Sequence, residues 1–253
     1  MFSESLLKSH LKTSLLGHNI KYKKKTASTN IDAKKYLYNK NFHGSIFISD
    51  NQYKGRGRRE NNWESTPNKS LTFSLLLYPK IELDKIGLIP LMIGIGIIKG
   101  ILKSTSIQAG LKWPNDIILK NKKIGGILIE SKQINNDIGL IIGIGLNINE
   151  KLNDIPNYII DKTTSLAISS ECIYSREKIL ANILNEFEML FNSNLESIIT
   201  MWENFCVHKN KKVNFHSEKE FHHGTFKGIS KNGYAQIEIN NILKTFPNGM
   251  IIL

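Results

Sequence analysis

The chain has 253 residues, of which 41% are hydrophobic and 22% charged. This composition is typical of soluble globular proteins that form a core without disulfide or metal support. Two distant cysteines, Cys172 and Cys206, exclude a disulfide framework and a zinc motif and favour a reducing cytoplasm. The net charge of +12 comes from scattered lysines. We therefore attribute it to composition rather than to nucleic-acid binding, although an acidic protein partner would also fit.

The first elements predicted along the chain are short helices and buried strands. Leucines near helical spacing predict a helix over residues 2–16, where charged residues exclude a signal peptide. The Ser-Thr-Asn triplet at 28–30 has N-cap chemistry and precedes a helical segment. Apolar runs predict strands at 45–49 and 70–78. A glycine- and arginine-rich loop at 54–62 separates these strands.

The central part of the chain predicts one buried helix and a group of strands. The apolar run at 86–98 contains a proline and three glycines, so we interpret it as part of a buried helix over 87–103, too short to cross a bilayer. Segments 117–119 and 124–129 flank a short polar turn and predict a hairpin. Residues 139–149 predict another strand, in which closely spaced glycines indicate close approach by a ligand or a backbone.

The last quarter of the chain changes character. Residues 176–193 are amphipathic with helical period, and a further helix is predicted over 195–206. Beyond them come short alternating strands with an Asn-Gly turn at 232–233. The pattern predicts an α+β domain over residues 1–208, followed by a small β-barrel over residues 209–253 that docks on it.

Two polar segments carry candidate chemistry. In the loop at 54–59, alternating glycine and arginine would let the backbone wrap an anion while guanidinium groups reach its oxygens. Taken alone, it could equally be a flexible surface loop or an RNA contact. Residues 112–116, Lys-Trp-Pro-Asn-Asp, place a lysine, an amide and a carboxylate together and could hold a metal-bound nucleotide. Taken alone, they are also an ordinary turn.

The order of the motifs decides between these interpretations. The triplet at 28–30, Gln52 with GRGRR, Trp63, KWPND, KKIGGILIE and GIGLNIN resembles the catalytic domain of biotin protein ligases. The resemblance is dense from 28 to 150 and looser beyond. It implies an α+β fold of the biotin/lipoate ligase type, with a mixed sheet and helices, followed by a small SH3-like β-barrel.

The resemblance also implies an activity. The enzyme would use ATP and Mg²⁺ to make biotinyl-5′-AMP and transfer biotin to a lysine of a biotin carboxyl carrier protein, an acetyl-CoA carboxylase subunit. We expect a cytoplasmic monomer or homodimer without a membrane partner. Only 27 residues precede Ser28, too few for the winged helix of the repressor forms, so no DNA binding is expected. The alternatives are a lipoate–protein ligase of the same fold and a basic nucleic-acid-binding protein.

Site residues follow by matching positions to the family motifs. The catalytic residues implied are Lys112, Arg56 and Arg58. The biotin contacts implied are Ser28, Thr29, Asn30, Gln52, Arg56, Gly57, Arg58, Lys123, Gly143 and Gly145. The nucleotide contacts implied are Arg58, Trp63, Lys112, Asn115, Asp116 and Asn147. No metal ligand set is predicted, although Asn115 and Asp116 could meet Mg²⁺ through the nucleotide.

The chain departs from the family pattern at two places. Glu60-Asn61 stands where the family loop usually continues with Gly-Arg, and Ala27 stands where Asp often precedes the Ser-Thr-Asn triplet. The first change removes a cation and adds an anion beside the adenylate. It predicts slower or leakier turnover.

Overall fold

The computed structural model describes residues 1–59, 61–191, 193–217 and 220–252. The helices are α1 (Glu4–His10), α2 (Thr29–Lys34), α3 (Ile89–Thr105), α4 (Leu166–Ser170), α5 (Arg176–Phe191) and α6 (Leu195–Phe205). The strands of the larger sheet are β1 (Ile20–Lys23), β2 (Ile46–Ser49), β3 (Leu71–Leu77), β4 (Gly110–Lys112), β5 (Asp116–Leu119), β6 (Lys122–Ile134) and β7 (Asp137–Leu146). The strands of the smaller sheet are β8 (Lys212–His216), β9 (Phe221–Ile229), β10 (Ala235–Ile239), β11 (Ile242–Phe246) and β12 (Met250–Ile252).

The larger sheet is mixed, as predicted, in the order β1-β2-β3-β7-β6-β5-β4. Strands β1 and β2 are parallel and the other neighbours are antiparallel. Alternate side chains point to opposite faces of a strand, so Phe47, Leu76 and Ile141 pack with α2 on one face. Their neighbours, among them Ile46 and Ile142, pack into the main core with α3 and α5 on the other face.

The first helix is shorter than predicted. It ends at His10, not at residue 16. The backbone N–H groups of Leu15 and Leu16 donate to the carboxylate of Glu188, at 3.0 and 2.8 Å. Because α5 satisfies these donors, the chain turns there instead of continuing the helix. Strand β1 was not predicted, since its four residues are only half-buried on one side and exposed on the other.

The apolar helical stretch Asp84–Thr105 needs a correction. By length and composition, its 22 residues are long and apolar enough to span a membrane, so the prediction that it is too short is wrong. In the fold, 67% of its most apolar 18-residue segment is buried. A Cβ at Gly100 would lie 2.6 Å from the backbone nitrogen of Ile183, so α3 and α5 pack at very close range. This burial agrees with the prediction of a buried core helix.

The C-terminal strands form a five-stranded antiparallel sheet in the order β11-β10-β9-β8-β12. Among the described residues, the edge strands β11 and β12 do not pair with each other, so the sheet does not close into a barrel by hydrogen bonds. The sheet docks on the larger domain through Trp113. The indole Nε1 donates to the carbonyl of Gly233 at 3.2 Å, and the ring packs on Phe215 with 6.1 Å between centroids. A small β domain after the α+β domain is thus confirmed. The exact division between residues 208 and 209 stays a prediction.

Candidate active site

A cavity of about 220 Å³ opens on the face of the large sheet that carries α2. Residues from six separate segments meet there, although they are far apart in sequence. The cavity brings together all the predicted site residues except Asn147. Its lining includes Ser28, Thr29, Asn30, Gln52, Arg56, Gly57, Arg58, Trp63, Lys112, Asn115, Asp116, Lys123, Gly143 and Gly145.

One corner of the cavity is built by the start of α2 and the end of β2. Ser28 is the N-cap of α2, but its side chain makes no capping bond. The backbone N–H and the hydroxyl of Thr29 both donate to Oε1 of Gln52, at 2.7 and 3.0 Å. These bonds orient the Gln52 amide and leave its NH₂ group as the remaining donor. The corner therefore offers small hydrogen-bonding groups to a polar ring or carboxylate.

Asn30 ties the same corner to the sheet. Its Nδ2 donates to the carboxylate of Glu130 at 2.7 Å, and its Oδ1 accepts from the hydroxyl of Ser74 at 2.6 Å. A Cβ at Gly143 would lie 2.3 Å from Oδ1 of Asn30, so only glycine allows this approach. Glu130 was not predicted. Its position in the sequence ILIES on β6 offers only an ordinary alternating carboxylate as a signal.

Trp63 covers the neighbouring glycine of β7. A Cβ at Gly145 would lie 2.3 Å from Cε2 of the Trp63 ring. The indole Nε1 is buried and has no hydrogen-bond partner within the described residues. A buried donor without a partner is costly. The predicted roles of Gly145 beside biotin and of Trp63 beside the nucleotide stay predictions.

The arginine loop is fastened to the KWPND segment. Nη1 of Arg58 donates to Oδ1 of Asn115 at 3.2 Å, and Nδ2 of Asn115 donates to the carbonyl of Ile127 at 2.8 Å. Asn61 closes the loop from the other side, since its Nδ2 donates to the carbonyl of Arg58 at 3.1 Å. Glu60, the other half of the family departure, lies outside the described residues.

The cavity concentrates positive charge. Burial lowers the pKa of Arg58, as does the neighbouring Arg59, while Asp116 opposes them. Burial also lowers the pKa of Lys112, with Asp116 raising it and Lys123 lowering it. Asp116 forms an ion pair with Lys123. Several cations thus face one carboxylate in a partly dehydrated space, an arrangement that favours binding of a polyanion.

The donor set does not fit a resident magnesium ion. Among the described residues, no three His, Cys, Asp or Glu side chains form a metal-binding group. The carboxylate of Asp116 is already paired with Lys123. Mg²⁺ prefers oxygen ligands and is commonly held partly by substrate phosphates. We therefore derive no step through a protein-bound metal.

Two further features were not anticipated from the sequence. Residues 249–251 of the small sheet line the cavity, so the C-terminal domain contributes to the site. Asn147, the predicted nucleotide contact, instead lies buried outside the lining, and its Nδ2 donates to the carbonyl of Thr164 at 3.0 Å. Its contact with the nucleotide stays a prediction.

Comparison with known proteins identifies the family. Residues 22–147 match the Biotin/lipoate A/B protein ligase family. Over 247 residues the chain is 30% identical to the bifunctional ligase/repressor BirA of Bacillus subtilis. The match covers 96% of this chain and 76% of that protein. The chain belongs to the biotin/lipoate protein ligase family. It is accordingly an enzyme of the ligase class.

Other members of the biotin/lipoate protein ligase family agree in fold and sequence. The biotin protein ligase of Aquifex aeolicus in complex with biotin and ATP superposes with a TM-score of 0.81 and 28% identity, covering 93% of this chain and 98% of that one. The biotin–[acetyl-CoA-carboxylase] ligase of Mycobacterium tuberculosis is 26% identical over 184 residues, 71% of this chain and 63% of that protein. The predicted ligase fold is therefore confirmed.

Proposed function

We propose that this ligase activates biotin with ATP to form biotinyl-5′-AMP and transfers the biotin to a lysine of a biotin carboxyl carrier protein. One observation carries the proposal. The hydrogen-bonding corner of Thr29 and Gln52 and the cationic group of Arg58 and Lys112 line a single cavity. An uncharged polar end and a strongly cationic end suit a molecule that is part biotin and part nucleotide. The biotin- and ATP-bound relative from Aquifex aeolicus supports this assignment.

In the first step, a carboxylate oxygen of biotin attacks the α-phosphorus of ATP. A C–O–P linkage forms, the bond from the α-phosphorus to the bridging oxygen breaks, and pyrophosphate leaves. Two anions must approach each other, so the barrier falls when fixed cations face the reacting oxygens. Lys112 and Arg58 are partly buried and positively charged, which suits them to this task.

In the second step, the neutral amine of the acceptor lysine attacks the acyl carbon of the mixed anhydride. An amide forms, AMP leaves with the bonding electrons, and a proton is released. The adenylate must stay bound until the acceptor arrives. The bond between Arg58 and Asn115 holds the loop over the cavity and supports this retention.

The biotin end is proposed to lie against α2, β6 and β7. Ser28, Thr29 and Gln52 would bind its polar ring. Lys123 would contact its carboxylate, which would point toward Lys112. Mg²⁺ would accompany the ATP phosphates instead of occupying a protein cage. A cytoplasmic location, the absence of DNA binding and a monomeric or homodimeric state stay predictions.

The decisive experiment is intact-mass measurement of a biotin carrier domain after incubation with the enzyme, ATP, Mg²⁺ and biotin. We expect a mass gain of one biotinyl group on the acceptor. A parallel reaction with lipoate in place of biotin tests the rival ligase activity. The acceptor is first shown to be competent with another biotin ligase. If it then gains no mass here, the proposal is wrong.

A further inference from the structure

Three exposed lysines form a basic rim beside the cavity: Lys24, Lys25 and Lys54. They come from two segments joined by backbone hydrogen bonds. The N–H of Thr26 donates to the carbonyl of Asn51 at 3.0 Å, and the N–H of Lys54 donates to the carbonyl of Ala27 at 2.9 Å. These hydrogen bonds extend the pairing of β1 with β2 as far as the cavity. The lysine run after β1 and the start of the arginine loop therefore lie side by side.

Within the described residues, none of the three lysines of the basic rim forms an ion pair. Glu64 shares a groove with Lys54 and accepts a hydrogen bond from Tyr158, and two other nearby acids are paired with other cations. Asp32 pairs with Lys23, and Asp50 pairs with the buried Arg176. Nζ of Lys25 lies 5.4 Å from the ring centroid of Tyr53, within the range of a cation–π contact. Tyr53 is itself 58% exposed and extends the surface.

The basic rim lies outside the lining of the small-molecule cavity. Lys24 and Lys25 are not among the residues that line it. Lys54 lines a neighbouring groove together with Arg56 and Glu64. A ligand that reaches the rim while its reactive group is in the cavity must extend beyond the residues that line the cavity. The acceptor protein is such a ligand.

We propose that the basic rim binds acidic side chains that flank the target lysine on the acceptor domain. The inference rests on the proposed function. The target lysine must approach a cationic opening, and like charges repel unless the acceptor brings compensating carboxylates. Complementary surfaces raise the rate of encounter and favour the correct partner, most strongly at low salt. The rim thus selects acceptors by the charge around the lysine.

The test compares two charge-reversed enzymes. One is Lys24→Glu with Lys25→Glu. The matched control is Lys8→Glu with Lys178→Glu, two exposed lysines of α1 and α5, which pack together against the main core. The acceptors are a carrier domain with acidic residues beside its target lysine and the same domain with those residues changed to amides. Transfer is measured at saturating biotin and ATP over a range of salt, and ATP–pyrophosphate exchange is measured without acceptor.

We expect the rim variant to lose about tenfold in kcat/KM for the acidic acceptor at low salt. The loss should vanish with the amide acceptor, and pyrophosphate exchange should not change. Equal kcat/KM values for the rim variant and the control would overturn the inference, leaving the lysines as protection of the exposed β1 edge. A loss of nucleic-acid binding with unchanged transfer would overturn it too. Absence of pyrophosphate exchange in the unmodified enzyme would instead refute the proposed function.

Discussion

The ring of Trp63 lies against the backbone of Gly145, so closely that an added Cβ would sit 2.3 Å from its Cε2 atom. The glycine is therefore required by a side chain of the same protein, independently of any ligand. It sets the depth at which the indole rests, and the indole forms part of the wall of the cavity. The position of Trp63 depends on a single missing methyl group.

Gly145→Ala is expected to push the Trp63 ring outward and weaken nucleotide binding. We predict that KM for ATP rises about tenfold, equivalent to about 1.4 kcal/mol, because overpacking forces the ring out of place. The matched control is Gly126→Ala on β6, directly opposite in register, where an added Cβ would meet Lys123 at an ordinary 3.4 Å. Equal kinetic effects of the two variants would contradict this role of Gly145.

Arg58 and Lys112 are expected to differ in the step they support. Arg58→Ala removes the bond to Asn115, so the loop should open and release adenylate, which would then label bystander lysines. Lys112→Ala should slow adenylate formation itself, by about 100-fold as for loss of one transition-state donor. Single-turnover measurements of adenylate formed and released separate the two. Indistinguishable time courses would refute the separation of roles.

The departure at Glu60-Asn61 can be reversed. Glu60→Gly with Asn61→Arg restores the family pattern and should slow the release of adenylate, since the sequence of the loop then gains a cation and loses an anion. Asn61→Arg alone tests a second effect, because it also removes the hydrogen bond that Asn61 donates to the carbonyl of Arg58. Filter-binding release of labelled adenylate is the measurement. An unchanged rate in the double variant would mean that the departure has no effect on retention.

Glu150 is a buried carboxyl group behind the site, just beyond β7. Ser70 donates to its Oε1, while its Oε2 has no partner within the described residues. Burial raises the pKa of Glu150 to about 7, and nearby Asp154 adds to the rise. The folded protein therefore binds a proton here that the unfolded chain releases near pH 4.5. Its contribution to stability falls as the pH rises from about 4.5 to 7.

Glu150→Gln should remove that dependence. Relative to the unmodified protein, the variant should gain on the order of 3 kcal/mol in unfolding free energy as the pH rises through this window. The lowered pKa values of His43 and His208 give an opposite dependence in the same window, but they are present in both proteins and cancel in the difference. Urea unfolding at several pH values measures the effect, and exposed Glu4→Gln is the control. A pH-independent difference would show that Glu150 is ionised throughout.

Much of the site could be predicted because its chemistry lies in short local motifs. Gln52, the arginine loop and KWPND are ambiguous one by one but recognisable by their order, and the fold brings them to one cavity. The partners that hold them could not be predicted, because they come from distant strands. Asn30 meets Glu130 one hundred residues away, and nothing in either segment specifies that pairing.

The elements that were missed share a physical cause. Strand β1 is short and alternates between half-buried and exposed residues, so it lacks the apolar run that identified β2 and β3. The end of α1 was misplaced because Glu188, from α5, accepts from the backbone N–H groups of Leu15 and Leu16, which lie beyond the helix. Local propensity predicted the helix correctly, but a tertiary contact stabilised a different backbone arrangement at its end.

The contacts of the Trp113 indole couple the unfolding of the two sheets. It belongs to the KWPND segment, yet it packs on Phe215 and donates to Gly233 in the small sheet. The main core is one continuous cluster that contains buried apolar residues of both sheets. Separating the sheets would expose this cluster and strip the cavity of residues 249–251. The two parts should therefore melt in a single cooperative transition, and a bound adenylate should raise the melting temperature of both together.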